Sequence, residues 1–349
     1  MNLTLYSDPH LGLSRKAHTT PASAKSWRHK IFSTALEIST NNDQAICLGD
    51  LFDSYSNSEE DIAQGYFLTT SAEVVLAGNH DVSNRADSVS SLQLLNDILL
   101  GSANRPLIAC ADYGKYRVYR RIYGQSRFTF IPHVATKELF EQALQEAERR
   151  ANEKKDQFQV LCLHCNYDLS ESFAKANTTL NLTQERAYAL LSSFHRILIG
   201  HEHIARQDSQ TDRIQLLGNI FPTSFSDISD KYYWSYDCDT DELTPHLCWS
   251  MNEGFYKGAA SGAKDGYEFY DIDDDLPPGK AAKVVTKLYA SPTTLAVRLN
   301  RKDRDVKSET SAEVCDFTAL PALIEAELAK TSPELLSLFQ EYMRNVAED

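Results

Sequence analysis

Short apolar runs alternate with helix-like segments over residues 1–252, and this alternation limits the fold more than any other feature of the chain. The runs span 3 to 6, 44 to 48, 73 to 77, 128 to 131, 159 to 163, 196 to 199 and 214 to 217. Their length and largely apolar character are typical of strands buried on both faces. Helical periodicity is found at 24 to 39, 62 to 70, 91 to 100, 137 to 155 and 183 to 193. The order predicts an α/β fold in which residues 1–252 form one layered domain.

The composition supports a large core and gives no sign of a membrane segment. The chain has 349 residues, of which 42% are hydrophobic, and this is enough to build a sizeable interior. No apolar run approaches the ~18 residues that cross a bilayer, and the N-terminus lacks the pattern of a signal peptide. The seven cysteines are scattered through apolar segments, which is typical of reduced thiols. We therefore expect a cytoplasmic protein without membrane contact.

The character of the sequence changes after residue 252. Residues 253–320 contain polar stretches at 258 to 266, 271 to 279 and 301 to 309, around two candidate strands at 282 to 290 and 294 to 300. This pattern predicts a small α+β accessory module with exposed loops. Residues 321–349 are predicted to form two C-terminal amphipathic helices, which either dock on a partner or pack on their own domain.

Polar side chains follow five of the predicted strands at the point where each strand ends. The fragments are "SDPHLG" with Asp8 and His10, "GDLFD" with Asp50 and Asp53, "GNHD" with Asn79, His80 and Asp81, "LHCN" with His164, and "GHEH" with His201 and His203. In open α/β sheets, ligands bind beyond the carboxyl ends of the strands. The sequence therefore predicts that five separate segments meet in one cleft.

The donor types in these fragments favour a pair of divalent metal ions. Asp, His and Asn together suit Mn²⁺ first, with Fe²⁺, Zn²⁺ or Mg²⁺ as alternatives, better than they suit the all-oxygen shell of Ca²⁺. Two such ions ~3.5 to 4 Å apart form a common hydrolytic centre. Seven side chains are predicted to hold them: Asp8, His10, Asp50, Asn79, His164, His201 and His203. Two cations in place of water would explain how Asp50 can follow a buried strand.

Each fragment alone is weak evidence, and the metal prediction depends on all five occurring in this order after strands. The remaining histidines are interpreted as ordinary: His18, His29, His133, His195 and His246. Cys162 and Cys165 form a C-x-x-C pair within and after a predicted strand, and we interpret them as structural thiols rather than as zinc ligands.

The ordered set D-x-H, G-D-x-x-D, G-N-H-D, H and G-H-x-H resembles the calcineurin-like metallophosphoesterases over Asp8 to His203. The resemblance implies a two-layer β-sandwich flanked by helices, with a dinuclear metal site. It also implies that one ion is held by Asp8, His10, Asp50 and His203, and the other by Asp50, Asn79, His164 and His201. His80 would be the general acid, held by Asp53.

Details of spelling narrow the resemblance to the SbcD-type DNA nuclease subunits of bacteria and phages. "SDPHLG" and "GDLFD" are typical of them, and "LLGNIFPTSFSD" with "KYYWSYDCDTDEL" is similar to the loop and strand pair after their last metal motif. The resemblance implies a metal-dependent DNA exonuclease or endonuclease that works with an SbcC-like ATPase subunit in DNA recombination, repair or phage DNA metabolism. Residues 253–320 would be its capping module and residues 321–349 its docking element. Related nucleases dimerise through helices near the first motifs, so 62 to 70 and 91 to 100 are candidates for a homodimer interface.

The charge of the chain leaves the substrate open. The net charge is −14, which opposes a surface uniformly coated by nucleic acid. Two positive islands, 11 to 36 and 113 to 137, contain no acidic residue, and they indicate either a polyanion track or solvated faces paired with acids elsewhere. The alternative function is a small-molecule phosphatase or cyclic nucleotide phosphodiesterase. A non-catalytic scaffold would have no need for the complete ligand set.

Overall fold

The computed structural model describes residues 1–15, 17–40, 44–82, 88–101, 105–153, 157–169, 180–277 and 279–300. Met1–Asn300 forms one compact unit. The charged stretch at 301 to 309, the rest of the accessory region up to 320 and the helices predicted at 321–349 lie outside the described residues. Those expectations, and the division of the chain into three parts, stay predictions.

Two six-stranded sheets form the centre of this unit. The first contains β1 (Asn2–Tyr6), β2 (Ala45–Cys47), β3 (Ala72–Leu76), β4 (Leu107–Ala109), β13 (Lys231–Asp237) and β14 (Glu242–Trp249). Its strand order is β14-β13-β1-β2-β3-β4. Strands β1 to β4 are parallel, and β13 and β14 extend the sheet as an antiparallel pair.

The second sheet repeats this plan with different strands. It contains β5 (Tyr119–Tyr123), β6 (Ser126–Ile131), β7 (Phe158–His164), β10 (Arg196–Gly200), β11 (Arg206–Gln207) and β12 (Ile214–Leu216), in the order β11-β12-β10-β7-β6-β5. The four central strands are parallel, and an antiparallel strand closes each edge. A short pair, β8 (Asn166–Tyr167) and β9 (Asn181–Leu182), stands apart from both sheets.

The two sheets pack face to face. Leu5 and Val74 of the first sheet share one apolar cluster with Phe128, Val160 and Leu198 of the second. The residues that alternate with them along the strands point outward, into two further clusters beneath the helices. Central parallel strands such as β2 and β10 are therefore buried on both faces, which is why their sequences are almost entirely apolar.

Helices cover the outer face of each sheet. The first sheet is covered by α1 (Pro21–Thr40), α2 (Glu59–Thr70) and α3 (Ser91–Ile98), and the second by α4 (Lys137–Asn152) and α5 (Gln184–Leu190). Side chains of Ser58, Ser90 and Thr136 cap the starts of α2, α3 and α4. The predicted fold class, a two-layer β-sandwich flanked by helices, is confirmed. Among the described helices, none is both long enough and apolar enough to cross a membrane.

The segment at 282 to 290 is helical, so the prediction of a strand there is wrong. After the short helix α6 (Met251–Gly254), the chain forms α7 (Lys280–Leu288) over this segment. The β-branched pair Val284 and Val285 favours a strand locally. The fully buried positions Ala281 and Leu288 are two helical turns apart, and tertiary packing on that face decides for a helix.

The accessory module is a three-stranded parallel sheet of β15 (Phe255–Ala259), β16 (Phe269–Asp273) and β17 (Ala296–Asn300). Strand β17 confirms the strand predicted at 294 to 300, whereas β15 and β16 extend into two stretches predicted to be loops. Tyr270 and Leu288 belong to the module's own apolar cluster. Phe269 faces the main domain, where its ring centroid lies 5.0 Å from that of Trp27 in α1. The module is therefore packed against the outer helix layer of the first sheet.

Candidate metal centre

The five polar fragments follow β1, β2, β3, β7 and β10, and the structure brings their side chains together. Within the described part of the chain, three sets of possible metal ligands have donor atoms within 4.8 Å of one another. These sets are Asp8, His10 and His203; Asp50, His164 and His201; and His10, Asp53 and His80. Parallel strands of both sheets thus deliver their carboxyl-terminal loops to one place, as the strand order predicts.

Asp8, His10 and His203 form the first half of the cluster. The Nε2 atoms of His10 and His203 are 3.0 Å apart, although 193 positions separate the residues in the chain. Asp8 Oδ1 lies 4.0 Å from His10 Nε2, and Asp50 Oδ2 lies 3.9 Å from the same nitrogen. Two imidazoles and two carboxylates therefore surround one small volume.

Asp50, Asn79, His164 and His201 form the second half. His164 Nε2 lies 3.2 Å from Asp50 Oδ2, 3.9 Å from Asp8 Oδ1 and 3.2 Å from Asn79 Oδ1. The ring of His201 meets that of His164 edge-on, with centroids 5.3 Å apart. Both carboxylates thus face the imidazoles of both halves, which is the arrangement required to hold two neighbouring cations.

Four of these residues have a backbone conformation that L-residues rarely adopt. The φ angles are 54° at Asp8, 50° at His10, 48° at Asp50 and 89° at His201. A non-glycine residue in this region costs on the order of 1–3 kcal/mol, and such strain is concentrated at functional sites. The strand ends therefore turn sharply to direct these side chains into the cluster.

Two glycines leave room for the cluster. A Cβ atom on Gly49 would lie 2.0 Å from His164 Nδ1, and one on Gly78 would lie 2.1 Å from Asp50 Oδ1. Gly49 also has a φ of +109°, which disfavours any side chain. The glycines that precede Asp50 and Asn79 are thus needed for close approach of the loops.

The electrostatics of the cluster fit bound cations. Asp8 Oδ1 is buried and accepts no hydrogen bond within the described structure, a costly state for a carboxylate oxygen. Burial alone would lower the pKa of His164, but Asp50 and Asp8 raise it to about 10, so a positive charge is strongly favoured at this point. Burial, reinforced by His164, lowers the pKa of His201 to about 4, so that imidazole is neutral. The donor set matches a divalent transition-metal site.

His80 is held by Asp53, as the resemblance implies, and the contact is made by the backbone carbonyl of Asp53 rather than by its carboxylate. His80 Nδ1 donates to the Asp53 carbonyl oxygen at 2.7 Å, and the His80 N–H donates to Asp50 Oδ1 at 2.8 Å. The Asp53 carboxylate lies 3.3 Å from His10 Nδ1 and accepts the Ser14 N–H at 3.4 Å. Asp53 therefore orients a predicted ligand, His10, with its side chain and the candidate acid with its backbone.

Asp81, the last residue of "GNHD", joins two of the loops. Its carboxylate accepts the N–H groups of Leu51, Phe52 and Gly78 at 3.1, 3.0 and 3.0 Å. Burial and the neighbouring charge of Asp50 raise the pKa of Asp81 to about 7. This brace fixes the loop after β2 relative to the loop after β3, and with it the spacing between Asp50 and Asn79.

Asp227 orients His203, and sequence reasoning missed it. Asp227 Oδ2 accepts hydrogen bonds from His203 Nδ1 at 3.1 Å, from Asn219 Nδ2 at 2.9 Å and from the Thr223 N–H at 3.1 Å. Burial opposes ionisation of Asp227, yet its pKa is lowered because His203 and the buried Lys231 stabilise the carboxylate. A carboxylate behind a histidine fixes the ring and directs the opposite nitrogen to the metal. The sequence signal was an acid at the end of "LLGNIFPTSFSD".

The variant Asp227→Asn is expected to weaken metal binding about 10- to 100-fold, because the His203 ring loses the charged acceptor that sets its tautomer. Calorimetric titration of metal-free protein with Mn²⁺ measures this affinity. Asp230→Asn is the matched control, since Asp230 accepts a hydrogen bond from the Met251 N–H instead. Wild-type affinity in Asp227→Asn would contradict the orienting role.

His133 contacts the backbone of His164 but belongs to none of the possible ligand sets among the described residues. The ring of His133 hydrogen-bonds to the backbone of His164, and the backbone N–H of His133 donates to the Ala77 carbonyl at 2.9 Å. Burial, together with His164, lowers the pKa of His133 to about 3, so the ring is neutral. By contrast, Cys162 and Cys165 are buried in different apolar clusters, as expected of structural thiols.

The two positive islands are partly neutralised in the fold. Arg117 of the second island contacts Asp112 at 2.8 Å, just outside the acid-free segment. In the first island, Lys30 contacts Glu268 of the accessory module at 3.3 Å. Arg15 differs, because its Nε donates to a backbone carbonyl beside the cluster at 3.0 Å. Absence of acids along the sequence thus does not mean absence of acidic partners in space.

Comparison with known proteins gives a family match and solved structures of low sequence identity. The sequence model of the calcineurin-like phosphoesterase family matches residues 1–205. A crystal structure of a Thermus thermophilus protein is 10% identical with a TM-score of 0.42, covering 71% of this chain and 99% of its own. A structure described as a novel archaeal phosphodiesterase is 14% identical (TM-score 0.34, 71% and 99% covered), and a metallophosphoesterase from Sphaerobacter thermophilus is 14% identical (TM-score 0.30, 72% and 89%). No curated protein matches the chain. The family match includes all five polar fragments.

Proposed function

Because this chain belongs to the calcineurin-like phosphoesterases, whose members are metal-dependent phosphoester hydrolases, we propose that it is a DNA nuclease that hydrolyses phosphodiesters. The finer proposal is the catalytic subunit of an SbcC/SbcD-like complex in DNA recombination, repair or phage DNA metabolism. The spelling of the first two motifs and the segment after the last one support this choice. The proposed location is the cytoplasm.

One observation carries the hydrolytic function. Seven side chains from five segments converge so that Asp8 and Asp50 lie between two groups of imidazoles, with Asp50 Oδ2 3.9 Å from His10 Nε2 and 3.2 Å from His164 Nε2. We assign one ion to Asp8, His10, Asp50 and His203, and the other to Asp50, Asn79, His164 and His201. Mn²⁺ is the proposed metal because mixed carboxylate and imidazole donors suit it.

The residues of the site have separate tasks in phosphodiester hydrolysis. Bound divalent ions would supply Lewis-acid polarisation of the phosphoryl group and lower the pKa of water. His80 is held through Nδ1, so its other ring nitrogen can donate a proton to the leaving oxygen. Asp53 and Asp227 orient His10 and His203 from behind. Water reaches the site because His80 and His203 are only partly buried.

The experiment that tests this proposal is a set of digests with Mn²⁺ or Mg²⁺. Linear duplex, single-stranded and hairpin DNA are compared with bis(p-nitrophenyl) phosphate, a diester with no nucleic-acid features. A nuclease predicts metal-dependent DNA cleavage that falls as salt rises, because cations compete for the phosphates. Salt-insensitive hydrolysis of small esters without DNA cleavage would favour the alternative, a small-molecule phosphatase or cyclic nucleotide phosphodiesterase. Two observations support this alternative, the net charge of −14 and the pairing of Arg117 with Asp112.

The proposed partners are DNA, an SbcC-like ATPase and a second copy of the chain. Docking of the ATPase on 321–349 rests on the sequence pattern alone, since that segment lies outside the described residues. The homodimer is supported by exposed apolar side chains on two neighbouring helices. Phe67 of α2 is 57% exposed, and Ile98 of α3 is 53% exposed. Such side chains are costly in water unless another surface covers them.

The double variant Phe67→Glu, Ile98→Glu is expected to convert a dimer into a monomer, because two charges would be buried at its interface. Light scattering coupled to size-exclusion chromatography measures the mass. The control is Leu247→Glu, an equally exposed position on β14. A wild-type protein that is monomeric at micromolar concentration would refute the dimer and leave the hydrolase proposal intact.

A further inference from the structure

Arg15 is fixed at the rim of the candidate metal centre from two sides. It follows His10 by five positions, in the loop between β1 and α1. Its Nε donates to the Thr223 carbonyl oxygen at 3.0 Å. Thr223 is itself rigidly held, because its N–H and its hydroxyl both donate to Asp227 Oδ2, at 3.1 and 2.9 Å. The Thr223 hydroxyl oxygen also lies 3.2 Å from His203 Nδ1, so Arg15 is anchored to a residue in contact with a predicted ligand.

On its other side, Arg15 adjoins the loop that holds His10 and His80. The N–H of the preceding residue, Ser14, donates to Asp53 Oδ2 at 3.4 Å. Arg15 therefore follows a residue that is hydrogen-bonded to Asp53, and it is itself hydrogen-bonded to a residue that contacts His203.

The rest of the Arg15 guanidinium has no partner in the described part of the chain. The side chain is exposed, and among the described residues it makes one hydrogen bond, through Nε, and has no carboxylate within ion-pair distance. The neighbouring basic residue Lys30 differs, since it contacts Glu268 at 3.3 Å. A guanidinium held at Nε presents its two Nη atoms as a fork of fixed direction, which matches two oxygens of a phosphate.

We propose that Arg15 forms a phosphate-binding subsite at the rim of the metal centre, where its Nη atoms bind a backbone phosphate of a nucleic acid adjacent to the phosphodiester that is cleaved. The inference rests on the proposed function, because it names a substrate feature of the same site. A substrate with several phosphates in a row gains this contact, whereas an ester with one phosphate does not. Arg15 would thus select polynucleotides over small phosphoesters on a chain whose net charge of −14 repels both.

The test compares Arg15→Gln with wild type in binding and in turnover. Binding of a fluorescent single-stranded oligonucleotide is measured by anisotropy with a chelator present, so that no cleavage occurs. Arg15→Gln is expected to raise Kd about tenfold at low salt, as expected for one charged contact in an exposed setting. It should also reduce the slope of log K against log salt by about 0.7, the contribution of one phosphate contact on a single strand.

Turnover measurements distinguish binding of an adjacent phosphate from a general effect of Arg15 on catalysis. With Mn²⁺ present, the KM for the oligonucleotide should rise about tenfold more than the KM for bis(p-nitrophenyl) phosphate, since one charged contact is lost for the first substrate only. Arg15→Lys keeps the charge and loses the fork, so it should give an intermediate loss. This second variant also guards against a folding defect in Arg15→Gln, and thermal melts of both verify the fold.

Lys25→Gln is the matched control, because Lys25 is an exposed residue of the same positive island, on α1. A shift of equal size in Lys25→Gln would mean that Arg15 acts only through surface charge, and the subsite would be overturned. The same holds if Arg15→Gln changes neither Kd nor the salt slope while wild type cleaves DNA, and the nuclease proposal then stands. Wild-type protein that hydrolyses only the small ester and does not bind the oligonucleotide would overturn both.

Discussion

Asp50→Asn is expected to lose at least one bound metal ion and to lower kcat by about 10³-fold or more, the scale seen when a unit of catalytic machinery is removed. Asp50 Oδ2 faces His10 and His164 from between the two halves of the cluster, at 3.9 and 3.2 Å from their Nε2 atoms. An amide has the same shape but cannot neutralise two cations. Elemental analysis of the dialysed protein, beside kinetics, measures both losses. Addition of Mn²⁺ should raise the melting temperature of wild type by more than that of Asp50→Asn.

The control for this variant is Asp271→Asn in the accessory module. Asp271 is buried like Asp50, but it pairs with Arg298 at 2.7 Å. Asp271→Asn should lower stability and keep the metal content of wild type, because Asp271 lies on β16 and belongs to none of the possible ligand sets in the described part of the chain. Two ions per chain in Asp50→Asn would defeat the assignment of this residue as the bridge.

His80→Gln is expected to keep the metal and lose turnover. General-acid catalysis by a positioned side chain contributes about 10²- to 10⁴-fold, so kcat on DNA should fall by a factor in that range. The loss should be much smaller with bis(p-nitrophenyl) phosphate, because its weakly basic leaving group needs no proton. The ring contacts the protein through Nδ1 and Asp53 O, at 2.7 Å, so its removal leaves the predicted ligands in place.

The matched control is His29→Gln, an exposed histidine of α1. Its metal content and its kcat on both substrates should equal those of wild type. If His80→Gln lost as much metal as Asp50→Asn, His80 would be a ligand and not an acid. An equal loss of kcat on both substrates would also exclude proton donation to the leaving group.

The layered core was predictable because each buried strand leaves a local mark. The run at 159 to 163 lies inside β7 (Phe158–His164), and the helix predicted at 62 to 70 lies inside α2 (Glu59–Thr70). Strand β5 was missed because "YRRIY" is an edge strand. Arg121 and Ile122 are both exposed, so the sequence does not show the apolar run of a buried strand. The segment at 282 to 290 was predicted as a strand because its local β-propensity is high. It forms a helix because one helical face is buried in the module.

The possible metal ligands could be predicted from the sequence, whereas the contacts that orient them could not. All predicted ligands lie in fragments that follow strands, and the fold of an α/β sheet sends those fragments to one edge. Asp227 is 24 positions from His203 and carries no motif, so its hydrogen bond to His203 Nδ1 exists only through the fold of the connecting loop. The contacts of Asp53 also depend on the fold. Its carboxylate contacts His10, and its backbone carbonyl accepts a hydrogen bond from His80.

The sequence by itself determined the order of strands and helices, the five polar fragments and the donor types for a metal centre, because burial and strand endings leave local patterns. The tertiary structure alone decided which atoms meet. The Nε2 atoms of His10 and His203 come within 3.0 Å of each other across 193 positions, and Arg15 Nε donates to the carbonyl of Thr223 in a distant loop. Such contacts depend on how two sheets and their loops pack, and packing joins residues whose separation along the chain carries no information about their distance in space.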